Sequence, residues 1–501
     1  MYRDAAYEGL PFRERRRLHE RTGRLLESEL ADPMQIAPLL SVHFAAAGRH
    51  PDAYRYSVRA AADAADAYAH IEAIEHYERA LRAGRHCQHV APAERAALHE
   101  QLGRSKEFSG DLAGAEAAYR RVGQLTDDLD LAVNCLRRRA RVRQKQSRLT
   151  AAIRLLHQAE RQLQGLEPES WIHRRLAEIH LSLAGVRMDQ GRLTEARFEA
   201  ESALAHARAG GDRALTVQAY GAIVGALTNW DEAEPYVELG LGPDAPADAY
   251  EGRSILAINL GMAAFFSGRW SDAVDLYEQG RANAQAMGNV TGAALASMNA
   301  AELLIDQGHV EAAADALVEI RRVLRAAGYA AALSYADLLE AVAQMRSGRI
   351  EESVVELERV AAEFRAGSMA MYALETELRL AEAHLRAGRP DRSREIAERV
   401  REESVTLSRR GVVEVRALRI LGRLALLDDD QERATVHLRT AVEVCRTEHL
   451  QFELALTLVP LAACTGDGAL LAEAETIFDE LGVTAAGRFL PADAASSAGS
   501  G

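Results

Sequence analysis

Lysine is nearly missing from this chain: of its 60 basic residues, only Lys106 and Lys145 are not arginine. The imbalance reads as the coding bias of a GC-rich bacterial genome, not as function. Cysteine is scarce as well. Cys87, Cys135, Cys445 and Cys464 stand far apart with no CxxC pair, which excludes a disulfide framework and fits a reducing compartment. Aromatic residues are only 5% of the chain, whereas apolar residues reach 48%, largely through alanine and leucine. That balance suits closely packed helices and disfavours strands. Long apolar runs are missing too. MYRDAAYEGL has no signal-peptide core, and an apolar stretch such as Ser254 to Gly268 falls short of the roughly 18 residues a spanning helix needs. The expectation is a cytoplasmic protein with no membrane partner. Nor is there a surplus of positive charge. A net charge of −14 repels phosphate backbones, so nucleic-acid binding is not expected without a local basic patch.

The signatures of catalysis are absent in the same way. A phosphate-binding loop needs a lysine directly after glycine, and the two lysines sit in RSKEF and RQKQS. HEQLG at His99 lacks the second histidine of a zinc protease, and no GxSxG or EF-hand loop occurs. His86, Cys87 and His89 in HCQH offer metal-ligand atoms, but the spacing fits no zinc finger and the segment reads as a solvated loop between helices. The chain is therefore expected to be no enzyme, with no cofactor and no metal.

What the sequence does have is a repeat. GDLAGA at 110, SRLTAA at 147, GRLTEA at 191, GRWSDA at 268, GHVEAA at 308, GRIEES at 348, GRPDRS at 388 and DDQERA at 429 share one form. The last five recur about every 40 residues. Gly268, Gly308, Gly348 and Gly388 can close a helix in the left-handed conformation, and the small residue five positions later, such as Ala273, enters the next helix. Twelve residues before that small residue the first helix offers another: Gly103, Ala140, Ala184, Gly261, Ala301, Ala341, Ala381 and Gly422. A small side chain on each helix is expected where the two cross.

Small residue, seven positions, glycine, five positions, small residue resembles the tetratricopeptide repeat, lengthened here to about 40 residues. The usual aromatic slot holds Tyr77, Tyr119 and Tyr277, but Leu317, Leu357 and Leu438 elsewhere. The resemblance implies an all-α, tetratricopeptide-like superhelix that binds a protein or peptide on its concave face. The weaker phrase NWDEA and the prolines Pro235, Pro243 and Pro246 interrupt the pattern. The expected organisation is residues 1–33 as a junction and first helix, 34–240 as N-terminal repeats, 241–250 as an irregular joint, 251–482 as C-terminal repeats and 483–501 as a polar tail.

A second resemblance covers the first 85 residues. Ala6, Tyr7, Leu10-Pro11, Arg16, Leu18-His19, His43-Phe44, Gly48 and the stretch AIEHYERAL are similar to the junction between ATPase module and helical repeats in bacterial signal-transduction ATPases with numerous domains. That group includes cyclase-linked ATPases and large LuxR-type regulators. The resemblance implies a sensor or interaction region without its motor, partnered in cis or in trans by an ATPase and winged-helix module. It also implies that Met1 is a truncation point or internal start, with the first twelve residues poorly packed. The alternative is a freestanding scaffold that gathers protein partners.

One charged stretch stands out. RRRARVRQKQSR holds seven positive charges and no acid. Arg137, Arg141, Lys145 and Arg148 share a helix face, with Arg138 beside them, and form a candidate site for an acidic partner. Acids at Asp127, Asp128 and Asp130 open the same helix, so the bases also read as a complement to its dipole. Trp230, Trp270, Phe265 and Phe266 read as core, with a ligand groove as the other possibility.

Overall fold

The residue that opens each repeat phrase turns the chain. In the computed structural model, which describes residues 10–227, 229–246, 248–405 and 411–484, φ is positive at Gly268, Gly308, Gly348 and Gly388. It is positive too at Ser147 and Asp429, where the phrase has lost its glycine. A left-handed non-glycine residue costs about 1–2 kcal/mol, so the packing of the helices on either side must impose it. Every described element is helical, and the chain is an all-α, tetratricopeptide-like helical-repeat protein.

Contacts divide the chain into two compact units. The first is built on Met1–Val142, with Arg154–Gly165 and Ala326–Gly328; the second on Arg143–Ile153, Leu166–Arg325 and Tyr329–Gly501. In sequence order the first eight helices are α1 (Phe12–Glu29), α2 (Ala37–Ala46), α3 (His50–Asp66), α4 (His70–Gly84), α5 (Pro92–Phe108), α6 (Leu112–Val122), α7 (Leu129–Lys145) and α8 (Leu149–Leu163). Phe44, Tyr56 and Tyr77 anchor one core in the first unit, and Tyr119 anchors a second. On α1, Phe12, Leu18 and Leu25 are exposed, while Leu26 packs onto that first core. Residues 1–9, on which the expectation of poor N-terminal packing partly falls, lie outside the described residues.

The second unit continues with α9 (Ser170–Asp189), α10 (Leu193–Ala209) and α11 (Arg213–Gly225). Two short helices, α12 (Trp230–Ala233) and α13 (Pro235–Leu241), follow where the prolines break the pattern. Then come the regular pairs: α14 (Tyr250–Phe266) with α15 (Trp270–Ala286), α16 (Val290–Gln307) with α17 (Val310–Ala326), α18 (Ala330–Arg346) with α19 (Ile350–Ala366), and α20 (Ala370–Arg386) with α21 (Pro390–Ser404). The last pairs are α22 (Gly411–Leu427) with α23 (Gln431–Thr447), and α24 (Gln451–Thr465) with α25 (Gly468–Glu480).

The small residues sit where the helices cross. A Cβ on Gly261 would come within 2.5 Å of the Tyr277 ring, one on Gly103 within 2.5 Å of Tyr119, and one on Gly422 within 2.7 Å of Leu438. Each partner is sixteen residues further on, the slot that is aromatic or leucine in the repeat. Where the slot holds leucine in Leu317 and Leu357, alanine suffices opposite, at Ala301 and Ala341, all fully buried. A glycine or alanine at each crossing leaves room for the tyrosine or leucine opposite, so one backbone spacing serves different sequences.

The last helices of the unit fold back onto α15 and α16. Trp270 of α15 packs against Phe452 of α24 with ring centroids 5.1 Å apart. Thr484 N donates to Gln307 O at 2.9 Å, and Gln307 Nε2 donates to Leu481 O at 3.1 Å. Trp270 stacks on Phe265 and donates its indole N–H to the Phe265 carbonyl at 2.9 Å. Trp230 and Trp270 are thus core residues of this closure.

Candidate functional site

In the regular part of the second unit, the first helix of each pair touches its counterpart in the next pair, whereas the second helices do so less. The helices α16, α18, α20, α22 and α24 therefore crowd together on the inner side. Such crowding normally selects small apolar residues. Here it encloses charge.

Tyr335 of α18 donates its hydroxyl to Glu302 of α16 at 2.9 Å. One turn along, Arg346 donates to Asp306 Oδ1 at 2.7 Å and to the Ile305 carbonyl at 2.6 Å; the two side chains are only 2% exposed. Arg416 of α22 bridges two helices, donating to Glu375 of α20 at 2.6 Å and to Glu453 of α24 at 2.7 Å. Arg419 completes that chain at 2.5 Å from Glu453. Beyond it, Glu382 lies between Arg423 at 3.7 Å and Arg386 at 3.8 Å. Charges removed from water persist only when paired in this way.

The titration behaviour follows from that enclosure. Burial pushes the Glu302 carboxyl up to about 7, helped by the nearby Glu375 and Asp306. Burial also lowers Arg386 to about 10, with Arg423 and Arg346 contributing repulsion against the pull of Glu382. It lowers Arg346, with Arg379 and Arg416 adding to the effect. Burial works against the Glu453 anion, but Arg416 and Arg419 overcome it and hold the carboxyl well below its usual range. Glu302 and Tyr335 keep a little contact with solvent on the inner side, the inner channel of the stacked first helices.

A small cavity lies among these groups, lined by Glu302, Asp306, Tyr335, Glu375 and Arg379, with Leu338, Leu339 and Val342 as its apolar wall. Asp306 Oδ2 is buried and accepts no hydrogen bond among the described residues. No nucleophile with an adjacent base is among the lining residues.

The basic run is placed elsewhere. On α7, Arg138 lies 3.2 Å from Glu100 of α5, Arg141 lies 3.3 Å from Glu107, and Arg139 lies 3.1 Å from Glu116. Those three arginines neutralise acids inside the first unit. Arg137 donates to Asn134 one turn back at 3.0 Å, Lys145 is half-buried and Arg148 is exposed. Of the HCQH segment, Cys87 turns its thiol inward to the Ala83 carbonyl at 3.4 Å, and His86 stacks on His50. None of these residues is among those that line the small cavity.

The inner-channel residues carry no local sequence motif, which is why single-segment reading passes over them. Aligning the repeats at 40 or 41 residues would have brought them out. Tyr335, Glu375 and Arg416 then fall in one column, and Glu302, Val342, Glu382 and Arg423 in another. A polar column on a helix face otherwise committed to packing is the signal.

Fold and inner face together define a tetratricopeptide-like helical-repeat protein with a charged interior. No family profile matches the chain, and no curated protein matches it. Among solved structures, it is similar to one titled "Crystal Structure of Rap Protein Complexed with Competence and Sporulation Factor". The identity is 13% and the TM-score 0.43, over 78% of this chain and 97% of that one. Among the described residues, no helix is long and apolar enough to cross a membrane.

Proposed function

We propose that this chain is a non-catalytic interaction protein whose second unit holds a segment of a protein or peptide partner along its inner channel. The observation that carries the reading is the enclosed charge on α16, α18, α20, α22 and α24. Well-packed apolar residues of similar volume would serve stability as well or better. Retaining ionisable groups there makes sense if they recognise something. The finer assignment is to the sensor region of a bacterial signalling ATPase or a cyclase or transcription regulator, acting in the cytoplasm. It is supported by the similarity of residues 3–85 to the junction segment of that group.

A photocrosslinking experiment tests the reading. Tyr335 replaced by p-benzoylphenylalanine keeps an aromatic ring facing the channel, whereas Val318, 68% exposed, carries the same probe outside. In lysate of the source cells, the inner probe should give a discrete peptide adduct that the outer probe does not. Adducts from Val318 alone would move binding to the outer surface and sink the proposal.

A further inference from the structure

The helix that opens the first unit is held there largely by polar contacts. Of α1 only Gly23 is buried, seated where a Cβ would come within 3.0 Å of the Phe44 ring. Leu26 adds a partly buried contact to that core, while Phe12, Leu18 and Leu25 are exposed. The other contacts include ion pairs of Arg24 with Asp52 at 2.9 Å and of Arg55 with Glu27 at 2.6 Å. The Tyr56 hydroxyl donates to Glu27 at 2.7 Å, and Arg16 Nε donates to the Ala47 carbonyl at 3.0 Å. A helix that buries so little apolar surface belongs to the low-stability end of its unit.

Histidines stand in pairs at this junction. His19 of α1 and His43 of α2 bring their Nδ1 atoms to 3.0 Å, with ring centroids 5.1 Å apart. His50, the first residue of α3, stacks on His86 of the HCQH segment with centroids 4.3 Å apart. Arg16 of α1 lies close enough to His50 to oppose its protonation. A hydrogen bond between two Nδ1 atoms needs one of them bare, to accept. Once both rings are imidazolium, two donors meet and two like charges repel. The acids beside the pairs are already engaged. Glu20, next to His19, and Asp52, close after His50, both pair with Arg49, at 3.6 and 3.3 Å, and Asp52 pairs also with Arg24. From α4 a further cation, Arg79, reaches α2 at Ser41, 2.9 Å away, and contacts His76.

We propose that these two histidine pairs form an acid-sensitive latch, which holds α1 on α2 and α3 at neutral pH and releases it when both rings of a pair become charged. Burial and the facing His19 hold His43 below the usual 6.5, and burial, His86 and Arg16 do the same to His50. Groups lowered by docking favour the docked state fully above about 6.5 and lose that contribution as the pH falls through their lowered values. Release takes Gly23 and Leu26 off Phe44, on the helix that already exposes Leu39 and Val42. Acid thus adds apolar surface at this end of the first unit without unfolding the rest.

Hydrogen exchange of the full chain, corrected for the intrinsic effect of pH, tests the latch. Peptides from α1 should be protected at about pH 7.5 and lose that protection at about pH 5.5, whereas α4 should keep its own. The control in α4 is needed because His70, His76 and His99, on α4 and α5, are also lowered by burial and could loosen the whole unit. His43→Asn combined with His50→Gln keeps hydrogen-bonding groups but removes both titrations, so α1 should stay protected at about pH 5.5. His19→Asn, on α1 itself, removes the facing charge without touching the core and should shift the opening of α1 to lower pH. Exchange of α1 that is alike at both pH values in wild type would overturn the proposal. So would loss of protection in α1 and α4 together, which is acid unfolding of the unit, or an opening pH that neither His19→Asn nor the double variant moves.

Discussion

A single carboxyl shows how the channel's enclosure can be measured. Glu302 is pushed up to about 7, above the usual 4.5, first by burial and then by Glu375 and Asp306. A carboxyl whose pKa is raised by folding binds its proton more tightly in the folded state. Its contribution to stability is full below the unfolded pKa and is lost as the pH rises towards 7. Asp189, pushed up to about 6 by burial, titrates in the same window, so the wild-type slope alone is ambiguous. Glu302→Gln isolates the effect, because the amide mimics the neutral acid and can still accept from Tyr335. Urea unfolding should find wild type and variant similar at pH 5, with the variant the more stable at pH 8. Glu453 does not interfere, since its depressed carboxyl loses stability only as the pH falls below the ordinary carboxylate range. Equal differences at both pH values would show that Glu302 is solvated and ionised throughout.

At the scale of helices, spacing is set at the crossings. Gly261 has no room for a methyl group, with the Tyr277 ring 2.5 Å from where its Cβ would lie. Gly348 has open space within 4 Å but a φ of +83°. Both glycines belong to the repeat pattern, for different reasons. Gly261→Leu should force the α14–α15 pair apart and cost on the order of 1–3 kcal/mol. Gly348→Asn should cost well under about 1 kcal/mol, since asparagine tolerates the left-handed turn. Chemical denaturation measures both, and equal losses would mean that the crossing is not the tight point. This distinction also bounds what the sequence makes legible. The crossing residues and the turns that follow each first helix stand out because glycine and alanine recur at fixed intervals. The alternate turns were harder to see. Gly288 and Gly328 have positive φ, but their counterparts are Ser368 and His449, residues with no turn signature. Packing on both sides imposes those turns, and local propensity does not encode them. The channel was illegible for a related reason. Asp306, Tyr335 and Arg379 lie on three helices, and each alone reads as an ordinary polar residue on an amphipathic face. Only the stacking of repeats brings them to one cavity.

Over the whole second unit, the closing contacts change how stability should be distributed. In an open stack of repeats each pair touches only its neighbours, so a lesion near one end is felt locally. Here α24 and α25 also pack on the first regular pair, α14–α15, through Trp270 and Phe452, and Thr484 bonds to Gln307 of α16. A residue near position 452 is therefore part of the core around position 270, about 180 residues earlier. Phe452→Ala removes the ring from that shared core and should cost about 3–5 kcal/mol. Its distinctive consequence is spatial. Hydrogen exchange followed by mass spectrometry should show lost protection in α24 and α25 and, equally, in α14 and α15. The intervening α18 to α20 should change least, because they touch neither end of the closure. Loss confined to α22 to α25 would mean that the two ends stabilise themselves independently. Coupled loss would identify the closure as what holds the charged helices together, and with them the low-dielectric setting in which the inner arginines and carboxylates act.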